Sequence, residues 1–193
     1  MRRPARTWIG TLLAAVTVVA LAACSDSGWE DRCETTPEGV IECGADNRAP
    51  APKIAGELLD GSHYDVTQDR GNVVVVNFWG SWCPPCVAEA DDLEKTYQAT
   101  RDLGVRFIGI NVQDMRDKAI AFERGRVSYP SIFDPASRQA LNFAIPPSFT
   151  PATIVLDREG RIAVVIRKAV RQEMLEPIVR TVAAEQPPQA GPR

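Results

Sequence analysis

VVVVNFWGSWCPPC, residues 73–86, is the stretch that decides the fold. Four valines followed by Asn77, Phe78 and Trp79 make an apolar run of the kind a central strand needs when both its faces are covered. Pro84 suits the first position of a helix, because its φ is already helical and its missing N–H would have no partner there. The order strand, turn, Cys-Pro-Pro-Cys therefore places Cys83 at a helix start. Unpaired backbone N–H groups and the positive end of the helix dipole favour the thiolate at that point. Cys86 lies one turn further on the same side, where its sulfur can attack a mixed disulfide formed at Cys83. Such a pair passes two electrons to or from a partner's cysteines and needs no metal or organic cofactor.

Two plainer readings compete. Half of a zinc site would need further ligands, and the chain offers only Cys33, Cys43 and its single histidine, His63, all upstream and at a mismatched spacing. A purely structural bridge is the other, although a bridge across two residues at a helix start is usually labile.

Outward from this stretch the pattern alternates. Residues 53–59 and 63–66 read as a hairpin around Asp60-Gly61, a strong turn dipeptide. Residues 84–100 read as a helix with Val87, Ala90, Leu93 and Tyr97 on its apolar side and Asp91, Asp92 and Lys95 toward water. Residues 105–112 form a second buried strand, parallel to the first if the helix is a crossover. A helix over 115–124, a short strand over 131–133 and a short helix over 137–143 follow. Residues 152–156 and 161–167 pair through Asp157-Arg158-Glu159-Gly160, and a closing helix covers about 171–184. This order implies an α/β fold, a mixed sheet with helices on both faces.

The ends read differently. Arg2, Arg3 and Arg6 precede an apolar stretch over 8–23, too short for a comfortable membrane span and laid out like a secretory signal. It ends in Leu21-Ala22-Ala23-Cys24, which resembles a bacterial lipobox and makes Cys24 the lipidated first residue of the mature chain, with simple cleavage near the Ala20-Leu21-Ala22 triplet as the alternative. More than one acyl chain at Cys24 suffices for stable anchoring, so the catalytic part would sit tethered outside the cytoplasm. Residues 25–52 are small, polar and turn-forming and read as a spacer. Within it Cys33 and Cys43 are expected to pair, their short loop being worth roughly 2 to 3 kcal/mol in the loop-entropy model. The alternative is two free thiols. Residues 185–193 are rich in Pro, Gln and Ala and read as a disordered tail.

Charge narrows the partners. The formal net charge is −3; losing residues 1–23 removes three arginines and no acid, which leaves −6. That balance speaks against nucleic acid. The mature chain of about 170 residues holds one domain with a proper core plus flanking tails, and it is read as a monomer.

Taken together, Asn77-Phe78-Trp79-Gly80-Ser81-Trp82-Cys83-Pro84-Pro85-Cys86, Glu89, and Thr150-Pro151-Ala152-Thr153 leading into Ile154-Val155-Leu156-Asp157 resemble the TlpA/ResA-like family of extracytoplasmic thioredoxin-fold proteins. The resemblance spans roughly residues 50–184. It implies a thioredoxin-like fold with an N-terminal β-hairpin, divided as signal peptide 1–23, lipid-anchored spacer 24–52, thioredoxin-like domain 53–184 and tail 185–193. It implies a thiol-disulfide oxidoreductase, often reducing apocytochrome c or other exported cysteine-containing proteins, with electrons from a membrane thiol-disulfide donor.

Residue by residue, the resemblance makes Cys83 the attacking and Cys86 the resolving thiol. Pro151 matches a cis proline that aims the Thr150 backbone at a partner's extended chain, with an ordinary trans proline as the alternative. Glu89 matches an acidic residue beneath the cysteines that can exchange protons with the resolving thiol; otherwise it is a solvated helix carboxylate. Asn77 stands where cytoplasmic thioredoxins commonly carry a buried aspartate, and an amide cannot titrate. Trp82, expected at the substrate, joins Phe149 and Trp79 in an apolar collar around the sulfurs, or the three simply pack. A proline-rich segment over 143–150 departs from the family's usual connection. The competing function is copper handling on the same fold, but such proteins space the cysteines further apart and add a distal histidine, and no histidine follows Cys86.

Overall fold

The computed structural model describes residues 28–145 and 147–185. The expected signal peptide, the lipid site Cys24 and residues 186–193 of the tail lie outside the described residues.

Thirteen strands and helices follow in chain order: β1 (Glu34–Thr35), β2 (Val40–Glu42), β3 (Ala55–Glu57), β4 (His63–Asp65), β5 (Val73–Trp79), α1 (Pro84–Thr100), β6 (Val105–Val112), α2 (Arg116–Glu123), β7 (Ser131–Asp134), α3 (Arg138–Asn142), β8 (Ala152–Leu156), β9 (Ile162–Ile166) and α4 (Gln172–Ala184). Seven strands form one sheet in the order β1-β2-β9-β8-β5-β6-β7. The strands β5, β6 and β7 run parallel, joined by crossovers, while β8, β9, β2 and β1 add antiparallel on the other side. This is the mixed sheet of a thioredoxin-like fold.

Every residue of β5 is buried. Its alternation splits the core in two. Val73 and Val75 face a cluster with Leu93 of α1 and Leu175, Val179 and Val182 of α4. Val74, Val76 and Phe78 face the other cluster, with Tyr64 of the β3–β4 hairpin and Ala140 of α3. At roughly 1.5 to 3 kcal/mol per fully buried aliphatic side chain, the side chains of this strand are a substantial part of what burial contributes to folding. The hairpin turns at Gly61, whose φ of +89° no β-branched residue would accept. Just past β3, Leu58 bridges to Ile132, so the hairpin leans on the β7 edge.

Two expectations need correction. The described part of the expected spacer, residues 28–52, is not a plain spacer, because β2 pairs with β9 and carries β1 along. Without it the apolar β9 would be a bare sheet edge. Val40 enters one core cluster and Ile41 the other. A disulfide joins Cys33 to Cys43 and closes this hairpin. Arg48 ties the segment down further, its side chain only 5% exposed and paired with Asp157 at 3.3 Å and Glu185 at 2.5 Å. The folded unit thus begins well before residue 53.

The second correction concerns α1. Its buried residues are Cys86, Glu89, Ala90, Leu93, Thr96 and Thr100, while Val87 is 37% exposed. At about 100° per residue, Val87 falls some 120° from Leu93 around the helix, whereas Cys86 falls within about 20° of it. The core arc is therefore centred on Leu93 and takes Glu89 inward. Among the described residues no helix is long and apolar enough to cross a membrane.

Candidate active site

The end of β5 delivers the chain to Gly80 and Ser81, and α1 starts with Cys83 as its N-cap in extended backbone. The Cys86 N–H donates to the Cys83 sulfur at 3.3 Å, so the sulfur occupies the place of a capping oxygen. Cys83 and Cys86 are joined in a disulfide, and each is 2% exposed. The Cys83 sulfur lies 3.8 Å from the carbonyl oxygen of Thr150, and the Thr150–Pro151 peptide is cis.

The three aromatics divide. Trp79 is buried and packs with both cysteines, Leu59 and Ala119, its ring 5.1 Å from that of Phe122. It supports the sulfurs as part of the core and forms no part of an exposed collar. Trp82 and Phe149 are 47% and 45% exposed, one just before Cys83 and the other just before Thr150. The Trp82 ring N–H donates to the Val112 carbonyl at 3.1 Å, which fixes its orientation.

Glu89 is buried, at 2% exposure, and is not a solvated helix carboxylate. One oxygen accepts from the Asn77 amide at 2.9 Å and the other from the Val170 N–H at 2.8 Å. Burial pushes its carboxyl up to about 7, against the lowering effect of those two bonds. Asn77 also donates to the Thr153 hydroxyl at 3.2 Å, so the amide links α1 to the strand that follows Pro151. A group that changes charge near neutrality, one helical turn from Cys86, can take or return a proton.

Sequence reasoning missed Asp114. Its carboxylate accepts from the Ser81 N–H at 2.6 Å and hydroxyl at 2.9 Å, from Asn111 at 2.9 Å and from the Met115 N–H at 2.8 Å. Burial opposes its charge, but these bonds hold its carboxyl below the usual range. It anchors the loop entering Cys83. The only local signal is a polar pair, Asn111 and Asp114, closing an apolar strand.

Cys33 and Cys43 are not brought here: they pair with each other, and Cys43 sits at the β2 end, its N–H donating to the Ala163 carbonyl. Among the described residues no group of three or more His, Cys, Asp or Glu side chains is placed to hold a metal.

Comparison with known proteins agrees with this arrangement. A family model described as Redoxin matches residues 45–182. The chain belongs to the Redoxin family, on its TlpA/ResA-like thioredoxin-fold side. It is 32% identical over 141 residues to the thiol:disulfide interchange protein DsbE of Allochromatium vinosum, covering 71% of each chain. It is 28% identical over 130 residues to the thiol-disulfide oxidoreductase ResA of Halalkalibacterium halodurans, covering 67% of this chain and 73% of that one. Among solved structures, a secreted thiol-disulfide isomerase from Corynebacterium glutamicum superposes with a TM-score of 0.73 at 32% identity, covering 79% of this chain and 98% of that one. This ResA-like chain is accordingly an enzyme, a thiol-disulfide oxidoreductase.

Proposed function

We propose that Cys83 and Cys86 carry the exchange, and that the protein works as a reductase of exported cysteine-containing proteins, apocytochrome c among them. The observation that carries this reading is the meeting of the α1 N-terminus, the Cys83 sulfur and the Thr150 carbonyl at one point. In the reduced enzyme the helix start favours the Cys83 thiolate. That thiolate attacks a partner disulfide; a sulfur–sulfur bond forms at Cys83, and the displaced partner thiolate takes a proton from solvent. Cys86 then loses its proton, with Glu89 as the acceptor, and attacks the Cys83 sulfur. The second partner thiol leaves, and the two electrons have passed from the enzyme to its client.

Thr150 would offer its backbone to the client's extended chain, with Trp82 supplying apolar contact beside it. A membrane thiol-disulfide donor would restore the dithiol. Lipidation at Cys24 would hold the enzyme, as a monomer, on the outer face of the cytoplasmic membrane. No metal or organic cofactor enters these steps.

The test is a Cys86→Ser variant presented with a disulfide-bearing client. A covalent adduct through Cys83, released by dithiothreitol, is expected. Its absence with every cysteine-bearing client overturns the mechanism.

A further inference from the structure

Resting on the exchange reading above, we propose that Gln113 binds the client: its side-chain amide takes the backbone of an extended chain about three residues from the client cysteine. The enzyme thereby favours cystines set in polypeptide over small disulfides.

The turn after β6 is strained. Gln113 has a φ of +53°, in the left-handed region that favours glycine. Of the three non-glycine residues at positive φ among the described residues, it alone has both chain neighbours bonded to the cysteine loop. Val112 before it accepts the Trp82 ring N–H at 3.1 Å, and Asp114 after it accepts the Ser81 N–H at 2.6 Å. These contacts hold the turn from both sides. They do not require glutamine. One runs through the Val112 carbonyl and the other through the Asp114 side chain, and glycine would take the same φ without strain. The Gln113 side chain is exposed, so it adds no packing to offset that strain. What it can offer is an amide, to something outside the chain.

The sheet order shows what lies within its reach. β5 runs between β8 and β6. Phe78 pairs with Ala152 and Trp79 with Asn111, so the Thr150 entry to β8 and the Gln113 exit from β6 flank the same end of β5 on opposite sides. That end leads into Cys83. Two strand spacings of about 4.8 Å set the flanks about 10 Å apart. An extended client advances about 3.3 Å per residue, so a chain whose cysteine meets Cys83 beside Thr150 reaches Gln113 about three residues on. A carboxamide both donates and accepts, which matches the N–H and C=O of a peptide. Trp82, bonded to Val112, and Met115, two residues past Gln113, are half-exposed and give this path an apolar wall. Free backbone and a bulky apolar side chain are therefore the client features this side reads.

The experiment mixes the reduced full chain with a synthetic peptide carrying one intramolecular cystine, and separately with an aromatic disulfide reagent that has no peptide backbone. Tryptophan fluorescence reads the first reaction and the coloured thiolate the second. In Gln113→Gly and Gln113→Ala the half-saturating peptide concentration should rise about fivefold, the loss of one net hydrogen bond. The limiting rate should stay near wild type, since this bond is made before and during exchange alike. The ratio of peptide to reagent rate constants should fall by the same factor. Gln113→Gly should also raise the urea midpoint by relaxing the turn, while Gln113→Ala keeps a side chain at positive φ and should not. Among peptides N-methylated in turn two, three and four residues from the cysteine, one should weaken wild type and neither variant.

Wild-type peptide kinetics in both variants overturn the proposal. So does a defect in Gln113→Gly alone, which would trace to a loosened loop, or an equal loss toward peptide and reagent, which would trace to a displaced Cys83. Failure of the wild-type enzyme to react with either substrate would sink the exchange reading instead, so the two outcomes stay distinct.

Discussion

Replacing Glu89 by glutamine keeps the size of the side chain and removes its charge, and the burial of this residue fixes what should follow for stability. The carboxyl moves from its ordinary 4.5 in the unfolded chain to about 7 in the folded one, chiefly through burial. The folded chain then binds this proton more tightly than the unfolded chain does. The group's contribution is fully present below 4.5, declines as pH rises, and is lost above about 7. At about 1.4 kcal/mol per pH unit the decline amounts to roughly 3 kcal/mol. Glutamine stays neutral and lacks it. The amide cannot accept from both Asn77 and Val170, which costs about 1 kcal/mol at every pH. Glu89→Gln should therefore be slightly less stable than wild type in acid and about 2 kcal/mol more stable above pH 8. Urea unfolding of the oxidised protein, followed by tryptophan fluorescence across this range, reads the crossing. Two stability curves that run parallel from acid to alkali would refute the reasoning.

Asp114→Asn should loosen the loop before Cys83. After allowance for solvent screening, the loss at neutral pH is about 1 kcal/mol. Because this carboxyl is held below its ordinary 3.8, the gap to wild type is full above that value and should close as pH falls further below it, again read by urea midpoints. Arg48→Met leaves Asp157 buried but still paired with Arg161 at 2.9 Å, and leaves the half-exposed Glu185 to water. Its cost should be about 2 to 3 kcal/mol, below that of breaking a wholly buried pair, by thermal or urea unfolding. Changing Cys33 and Cys43 together to serine frees a loop with a sequence separation of 10 and should cost roughly 2 to 3 kcal/mol, while disulfide exchange at Cys83 persists.

What the sequence made legible depended on range. The strand Val73–Trp79, the helix Pro84–Thr100 and the strands Val105–Val112 and Ala152–Leu156 are continuous patterns with turn residues at their ends, and local periodicity finds them. The strands of two and three residues in 34–42 carry no period, and only pairing with β9 makes them strands. Glu89 was visible through resemblance, but its burial follows from where the helix arc centres, which tertiary contacts decide. Asp114 and Ser131 become neighbours of the cysteine loop and its supporting Trp79 only when the ends of β6 and β7 converge on Ser81 and Trp79. Apart from the polar pair Asn111 and Asp114 that closes an apolar strand, nothing in their local spacing marks them. The same is true of Asn77, whose position in an apolar run gave its burial but not its contact with Glu89.

The central claim is that the start of α1 stabilises a thiolate at Cys83. Alkylation of the reduced chain by iodoacetamide, followed against pH with Cys86 changed to serine, measures it directly. Reaction half-maximal well below the ordinary cysteine value of about 8.5 is the predicted result. A sluggish thiol that ionises at or above that value would contradict the account.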